Sequence, residues 1–280
     1  MKVLSTIAAI RRFSAAARGP VVLVPTMGAL HAGHAALIDR ARMLAGPTGH
    51  VVVSIFVNPT QFGPKEDLSR YPRPLAADRR LCTAHGADVI FHPGVGEIYP
   101  ADFSTYVQEQ DVSALLCGAS RPGHFRGVCT VVLKLFAIVN PQIAVFGLKD
   151  YQQCAVIRRM VRDLNLRVRI DGVDTVRESD GLALSSRNVF LNAAEREQAP
   201  MIRKALLGAR NRRRSGEESA TRLRQFVTRE IGKAPLARID YVEVVDADSL
   251  KPVRKATQRT LIAAAVFFGK TRLIDNILLK

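Results

Sequence analysis

The sequence alternates between two kinds of pattern over most of its length, and this alternation predicts an α/β protein. Up to about residue 173, short apolar runs rich in Val and Ile are followed by helical patterns, as in parallel strands joined by helices. Beyond that point, two charged helical patterns precede three strand-like runs. We therefore expect a doubly wound, Rossmann-like parallel sheet over 1–173 and a second, smaller α+β domain over 174–280.

The elements follow in order from these patterns. In the first domain, strands are predicted over 21–25, 51–57, 87–91, 103–107, 143–146 and 166–170, and helices over 1–18, 34–45, 74–85, 127–139 and 151–164. A polar segment spans 65–73. In the second domain, helices are predicted near 193–212 and 217–232, and strands over 239–245, 260–268 and 272–279. Because ligands bind outside the carboxyl ends of parallel strands, the loops after 25, 57 and 146 should converge on one site.

Composition narrows the class of protein. The 280 residues are 48% hydrophobic, which is enough for a full core. There is no apolar run of about 18 residues, so no membrane span is expected. Arg11 and Arg12 interrupt the N-terminal apolar pattern, which favours an amphipathic helix in a cytoplasmic protein over a signal peptide. The four cysteines include no CxxC pair, so buried reduced thiols are expected.

The net charge of +16 is of a kind found in proteins that bind nucleic acids. However, the densest basic run, at 210–214, contains no aromatic residue, and the chain has no tryptophan. Side chains that stack on bases are therefore scarce. We interpret the charge as a solvated basic surface that also attracts anionic substrates, and nucleic acid is not the expected partner.

The loop between the first long strand and the next helix carries the strongest local signal. It reads TMGALHAGH and places His31 and His34 at the start of the helix. Unpaired N–H groups and the positive end of the helix dipole suit a phosphate group there. The alternative is that the two histidines cap the helix or simply face solvent. Neither GxxxxGK[ST] nor GxGxxG is present, so this is neither a P-loop nor a dinucleotide fingerprint.

Other polar residues follow strand ends. Lys149 supplies a mobile charge for phosphate, although a surface lysine is the alternative. Asp150 is interpreted first as a helix cap, with a nucleotide contact as the alternative. Ser185-Ser186-Arg187 offers two hydroxyls and a guanidinium to phosphate, but an ordinary turn has the same composition. Neutral amides suit the recognition of hydroxyl and carboxylate groups. The candidates are Asn58, Gln61 and Gln153, and a plain surface residue is the alternative for each.

Six motifs in sequence order make a resemblance plain. They are VPTMGALHAGH, SIFVNPTQF, YPR, RPGHFRGV, FGLKDYQQ and DGLALSSRN. The first contains HxGH, which resembles the signature of the nucleotidyltransferase superfamily. Together they resemble the pantothenate synthetase (pantoate–β-alanine ligase) family over nearly the whole chain, although the stretch from about 193 carries no such motif.

The resemblance implies an ATP- and Mg²⁺-dependent ligase that joins pantoate to β-alanine through a pantoyl adenylate, as a homodimer. It implies catalytic roles for His31, His34, Lys149 and the lid loop Ser185-Ser186-Arg187. The ATP-binding residues that it implies are Met27, Gly28, Ala29, Leu30, His31, Ala32, Gly33, His34, Gly147, Leu148, Lys149, Asp150, Val176, Leu184, Ser185, Ser186 and Arg187. The residues implied for pantoate and β-alanine are Pro25, Met27, Asn58, Gln61 and Gln153.

One position departs from the family pattern, since Leu148 stands where the family often has Glu. A backbone contact remains possible there, but a carboxylate role does not. Two other functions compete with the ligase. A nucleotidyltransferase acting on a phosphorylated acceptor would need more cations than the amides at 61 and 153 provide. A nucleic-acid-binding protein without catalysis would not need His34, Lys149 and the SSR loop.

Overall fold

The computed structural model describes residues 1–63 and 68–279. Of the polar segment predicted over 65–73, residues 65–67 lie outside the described ranges. The elements in chain order are β1 (Lys2–Leu4), α1 (Ile7–Ala16), β2 (Val21–Thr26), α2 (Ala32–Ala45), β3 (His50–Ile55), α3 (Leu75–Ala84), β4 (Val89–Phe91), α4 (Val95–Ile98), α5 (Cys117–Ser120), α6 (His124–Val139), β5 (Ile143–Gly147), α7 (Tyr151–Asp163), β6 (Arg169–Val173), α8 (Ala193–Gln198), α9 (Met201–Arg214), α10 (Ala220–Ile231), β7 (Ala237–Asp246), β8 (Thr260–Phe268) and β9 (Thr271–Leu278).

The first sheet has six strands in the order β1-β4-β3-β2-β5-β6, and every pair in it is parallel. Its central strand β2 is an apolar run because both faces are covered, and Val22, Leu23 and Val24 are fully buried. From β2 the chain goes to one side to form β3 and β4, and it later returns to the other side to form β5 and β6. This reversal creates a switch point between β2 and β5, where doubly wound sheets bind ligands.

The second sheet has the order β7-β8-β9, and both of its strand pairs are antiparallel. The helices α9 and α10 contribute Leu206, Leu223 and Ile231 to a core that also contains Val266 and Phe268 of β8. Buried and half-buried residues alternate along β9, because one face of the strand meets the core. A parallel sheet with helices and a separate α+β part are thus present, and the predicted fold class is confirmed.

The prediction for the N-terminus was partly wrong. Residues 2–4 do not continue a helix but form β1, which pairs with β4 at the edge of the sheet. The helix begins only at Ile7, where the Thr6 hydroxyl accepts the N–H of Ala9 at 3.2 Å. Short apolar runs of this kind have no period of their own to distinguish strand from helix.

Several other elements differ from the predictions, and three of these differences have clear physical reasons. No strand forms over 103–107, because the N–H of Val107 bonds to the side chain of Thr130 at 3.0 Å rather than to another strand. The strand predicted over 166–170 begins at Arg169, since Asn165 adopts a left-handed conformation that ends α7 first. The helix predicted over 193–212 breaks into α8 and α9 at Pro200, which has no N–H to donate.

The chain forms two compact units. The first consists of 1–110, 120–148 and 156–174, and the second of 111–119, 149–155 and 175–280. The four cysteines are free and buried. Among the helices of the described ranges, none has the length and apolarity needed to cross a membrane.

Candidate active site

The first turn of α2 is closed by its own two histidines. His31 is the N-cap residue, and its Nδ1 accepts the N–H of Gly33 at 3.1 Å. His34 Nδ1 accepts the N–H of His31 at 3.3 Å. The two rings thus replace the side chains of a conventional capping box. The capping role that the sequence left open is confirmed, and it uses only one nitrogen of each ring.

This arrangement fixes the chemistry of the other nitrogen. A neutral imidazole whose Nδ1 accepts a hydrogen bond carries its proton on Nε2. The ring centroids of His31 and His34 lie 4.2 Å apart, so two such N–H groups belong to one small region beside the helix start. Donors of this kind at the positive end of a helix dipole form a site that favours an anion.

A buried carboxylate holds the loop that leads into this helix. Asp78 of α3 is only 1% exposed, and its oxygens accept the N–H groups of Ala29 at 3.0 Å and Leu30 at 2.8 Å. The loop needs this support because Gly28 and Ala29 both have positive φ angles, of 83° and 52°. A Cβ on Gly28 would come within 3.0 Å of Asp78 Oδ2 and of Ile55, so the close approach requires glycine.

Sequence reasoning missed Asp78, although a signal was available. Asp78 and Cys82 are four residues apart on α3, and both are buried. An acidic residue on the apolar face of an amphipathic helix needs a hydrogen-bond partner. That requirement would have identified Asp78 as a candidate, but it would not have identified the loop that it binds.

The turn after β3 carries Asn58 and Gln61. Asn58 is 1% exposed. Its amide nitrogen donates to Gln61 Oε1 at 3.0 Å and to the carbonyl of Gly127 at 3.1 Å, and its oxygen accepts from Tyr99 at 2.9 Å. Gln61 Nε2 in turn donates to Met27 Sδ at 2.9 Å. The structure therefore brings together three of the residues that the sequence assigned to pantoate and β-alanine, and Asn58 forms the buried base of the group.

The start of α6 fixes this turn from the other side. His124 Nδ1 lies 2.9 Å from the carbonyl of Gln61, and its Nε2 lies 3.0 Å from Arg121. These contacts fit a neutral ring that donates from Nδ1 and accepts at Nε2. Gly127 lets the turn lie directly on α6, since a Cβ there would overlap the carbonyl oxygen of Thr60 and lie 2.6 Å from the Gln61 nitrogen. The motif RPGHFRGV, to which sequence reasoning gave no role, thus supports Gln61.

Two predicted residues, Pro25 and Leu148, lie at strand ends of the first unit. Pro25 stands in β2 opposite Ser54 of β3. Leu148 follows β5, and its side chain covers Gly172, where an added Cβ would be 2.8 Å from Leu148 Cδ2. The side chain that replaces the family's Glu is therefore engaged in apolar packing on β6.

The second unit contains Lys149 and Asp150. The Lys149 side chain is 20% exposed, and its Nζ lies 3.7 Å from Asp150 Oδ2, a carboxylate that is 49% exposed. Both belong to a short 3₁₀ turn before α7, and Gln153 is half-buried one turn further along. The ammonium group of Lys149 therefore retains partial access to solvent, as a group that binds phosphate needs.

The SSR motif follows a small hairpin in the same unit. The N–H of Leu184 donates to the carbonyl of Val176 at 3.0 Å, and Ser185 Oγ accepts the N–H of Arg187 at 3.2 Å. Ser185 thus caps the 3₁₀ turn Ser186–Phe190. The ordinary turn that the sequence left open is present, and the hydroxyl hydrogen of Ser185 is not used by the cap.

Charged side chains tie down the tip of this hairpin. Arg196 of α8 forms ion pairs with Glu178 and Asp180, each at 2.6 Å. Its hydrogen bond holds the pKa of the Asp180 carboxyl below the usual range. Asn188 donates to Glu178 at 3.0 Å and to the carbonyl of Ala183 at 3.1 Å.

The predicted residues occur in both units. The first unit contains Pro25, the segment 27–34, Asn58, Gln61, Gly147 and Leu148, and the second contains Lys149, Asp150, Gln153, Val176 and 184–187. Over the described ranges, no cluster of three or more His, Cys, Asp or Glu side chains is arranged to hold a metal ion.

Comparisons with known proteins identify the family to which the chain belongs. A family model described as pantoate-beta-alanine ligase matches residues 2–278. The chain is 53% identical to the pantothenate synthetase of Moorella thermoacetica, with 100% of this chain and 99% of the relative covered. The crystal structure of pantothenate synthetase from Thermus thermophilus superposes with a TM-score of 0.94 at 47% identity, covering 100% of this chain and 99% of that one. The pantoate-beta-alanine ligase of Francisella tularensis, solved with beta-gamma ATP and β-alanine, gives a TM-score of 0.79 at 33% identity, covering 99% and 97%. The chain described here belongs to the pantoate–β-alanine ligase family.

Proposed function

We propose that this protein condenses pantoate with β-alanine at the expense of ATP, forming pantothenate, AMP and pyrophosphate. The observation that carries the proposal is the histidine pair at the start of α2, in a chain that matches the family over residues 2–278. Each ring uses Nδ1 for the helix cap, and a neutral ring of this kind carries its proton on Nε2, the nitrogen that we assign to phosphate oxygens. The Francisella relative, solved with an ATP compound and β-alanine, supports the assignment of these two substrates.

In the first step, the pantoate carboxylate attacks the α-phosphorus of ATP. A bond from the carboxylate oxygen to phosphorus forms, the bond to the bridging oxygen breaks, and pyrophosphate leaves. A carboxylate is ionised at neutral pH, so no general base is required. The protein contributes position and positive charge. We assign His34 and His31 to phosphate oxygens through Nε2, with His34 as the proton donor.

Other cationic and hydroxyl groups neutralise phosphate charge in this proposal. We assign Lys149 to the phosphates as a point charge and Ser185-Ser186-Arg187 to a lid that closes on them. Backbone groups from Met27 to His34 and from Gly147 to Asp150, with Val176 and Leu184, bind the nucleotide in this proposal. The apolar packing of Leu148 on Gly172 supports a backbone contact rather than a side-chain contact at that position.

In the second step, the β-alanine amine attacks the acyl carbon of the adenylate. The new C–N bond replaces the bond to the AMP oxygen, AMP leaves, and the amine loses a proton. We assign Gln61 and Gln153 to pantoate, with Met27 and Pro25 beside Gln61. Asn58 supports this recognition through Gln61, because its own amide is buried and bonded within the protein. A closed lid would protect the adenylate from water.

Magnesium enters this proposal as part of the nucleotide substrate. Mg²⁺ is usually held by one or two carboxylates together with substrate phosphates, and Asp150 is the exposed carboxylate next to Lys149. The donor set of the described residues fits this mode rather than a cage of protein ligands. The ion would neutralise charge on the leaving pyrophosphate.

By family membership we also propose a cytoplasmic homodimer. Light scattering should then give twice the 30.7 kDa mass of the chain. A monomer mass at working concentration would remove the dimer from the proposal without affecting the reaction.

The reaction itself is tested by measuring AMP release from MgATP with pantoate, with and without β-alanine. The proposal requires that steady release of AMP needs both acids and that pantothenate is the co-product. Exchange of labelled pyrophosphate into ATP with pantoate alone would identify the adenylate step. A folded protein that binds ATP but releases no AMP with these acids would refute the ligase and favour a transferase acting on a phosphorylated acceptor.

A further inference from the structure

Two consecutive residues of β9 contact Lys149 and the hairpin that leads into the SSR motif. Asn276 Nδ2 donates to the backbone carbonyl of Lys149 at 3.0 Å. Asp275 forms a two-pronged ion pair with Arg177, at 2.7 and 2.9 Å. Neighbouring residues of a strand point to opposite faces, so β9 holds Lys149 from one face and Arg177 from the other.

The contact on the core-facing side is built for rigidity. The Asp275 side chain is 4% exposed, and that of Arg177 is 17% exposed. Charged hydrogen bonds with two parallel N–H donors fix both distance and orientation. Asp275 Oδ1 also accepts the N–H of Asn276 at 2.7 Å, which ties the two residues of β9 to each other.

Arg177 passes this anchoring on to the SSR motif. Its guanidinium also donates to the carbonyl of Gly181 at 3.1 Å, so it braces the hairpin from within. Its backbone pairs with Ala183 on the returning arm of the hairpin. That arm leads directly into Ser185. The position of Ser185–Arg187 is therefore set by Arg177 and, through it, by Asp275.

We propose that Asp275 and Asn276 are positioning residues that hold Lys149 and the Ser185–Arg187 loop at a fixed separation for adenylate formation. This inference rests on the proposed function. It assigns no contact with substrate to either residue. Two adjacent residues of one strand thus set the separation of Lys149 from Ser185–Arg187, although these segments are more than thirty residues apart in sequence.

Asn276→Ala is the variant of choice, because it removes the hydrogen bond to the Lys149 carbonyl and leaves no buried charge. Rapid-quench measurement of enzyme-bound pantoyl adenylate gives two readouts: the burst amplitude counts folded active sites, and the burst rate reports the chemical step. We expect an unchanged amplitude and a rate lowered roughly 10- to 100-fold, the scale that a displacement of about 1 Å produces. Asp275→Asn should lower the burst rate in the same way, and its burst amplitude gives the fraction of the variant that is folded.

The matched control is Asp240→Asn, which weakens a charged contact made by another residue of β9. Asp240 of β7 accepts two hydrogen bonds from Arg272 of β9, at 2.7 and 3.0 Å, and that pair does not involve the hairpin. Its burst rate should stay within about twofold of wild type. An equal loss of rate in Asp240→Asn and Asn276→Ala would overturn the inference in favour of general stability.

A double-mutant cycle with Lys149→Ala tests whether Asn276 acts through Lys149. We expect Asn276→Ala to have no further effect on the rate once Lys149 is Ala. Full additivity, or a wild-type rate in Asn276→Ala, would refute the inference while the proposed function stands. Failure of the wild-type protein to form any adenylate would instead refute the proposed function, and this inference with it.

Discussion

The contact between Asp78 and the loop after β2 makes a sharp prediction for Asp78→Asn. The carboxylate accepts one hydrogen bond on each oxygen, from Ala29 and from Leu30. An asparagine has the same shape but only one acceptor oxygen. One backbone N–H would therefore lose its acceptor and face an NH₂ group instead.

The magnitude follows from those two bonds. A hydrogen bond to a charged group contributes about 1.5–3 kcal/mol, and a neutral one about 1 kcal/mol. Losing one bond and weakening the other costs about 2–4 kcal/mol, which corresponds to a loss of roughly 30- to 1,000-fold in rate. Since the loop leads directly to the His31 cap, the loss should appear as a higher KM for ATP and a lower kcat for pyrophosphate exchange.

Exchange of labelled pyrophosphate with pantoate alone measures this loss, and urea unfolding verifies that the variant is folded. Asp39→Asn is the control, because the Asp39 side chain is 56% exposed and its Oδ1 contacts His85 Nδ1 near the surface at 2.7 Å. Its activity should equal that of wild type. A wild-type exchange rate and KM for ATP in folded Asp78→Asn would refute the view that Asp78 holds the loop after β2 in the conformation that the reaction needs.

Three other predictions come from the same contacts. His34→Asn keeps an acceptor near the Nδ1 position but lacks Nε2, so adenylate formation should fall by about 2–4 kcal/mol in barrier while thermal stability changes little. Gly127→Ala should push the turn that carries Gln61 off α6 and raise the KM for pantoate at least tenfold in steady-state assays. Burial raises the pKa of Cys82 to about 12 and that of Cys129 to about 11, so both thiols should resist iodoacetamide at pH 8 in the native protein, as mass spectrometry of digests would show.

Each of these has a control in the chain. His34→Gln places an amide near the Nε2 position and should retain more activity than His34→Asn; the reverse order would remove the Nε2 donor from the mechanism. Gly96→Ala, at a glycine with no atom near its added Cβ, should leave the KM for pantoate unchanged. The cysteines should all react in denaturant, and fast native labelling of Cys82 would contradict its burial.

The alternation of strands and helices was predictable because it depends on local apolar pattern. Buried parallel strands such as β2 and β3 have a continuous run of apolar residues, and that signal survives without tertiary information. β1 was not predictable, since three residues at a sheet edge acquire strand structure only from β4. The failure at 103–107 has the same origin, because Thr130 supplies the partner that decides its conformation.

The candidate site also contains features that were predictable from the sequence and features that were not. The histidine loop could be located from sequence because strand, turn and helix start are all local signals. What the sequence could not provide is the contact between distant segments. Asp78 reaches a loop 49 residues away, and His124 reaches Gln61 over 63 residues. The choice of Nδ1 for the cap was equally invisible, since it depends on the geometry of the first turn of α2.

The packing of the Asn58–Gln61 turn against Gly127 bears on attempts to change which acid the protein accepts. The residues that face the acid in our proposal and the residues that fix them are coded in two stretches of gene that are sixty codons apart. A library that varies only the first stretch leaves the backbone of the turn clamped by Arg121, His124 and Gly127, so it can alter side chains but not the outline of the pocket. Broader acid specificity should therefore emerge only from libraries that randomise both stretches together.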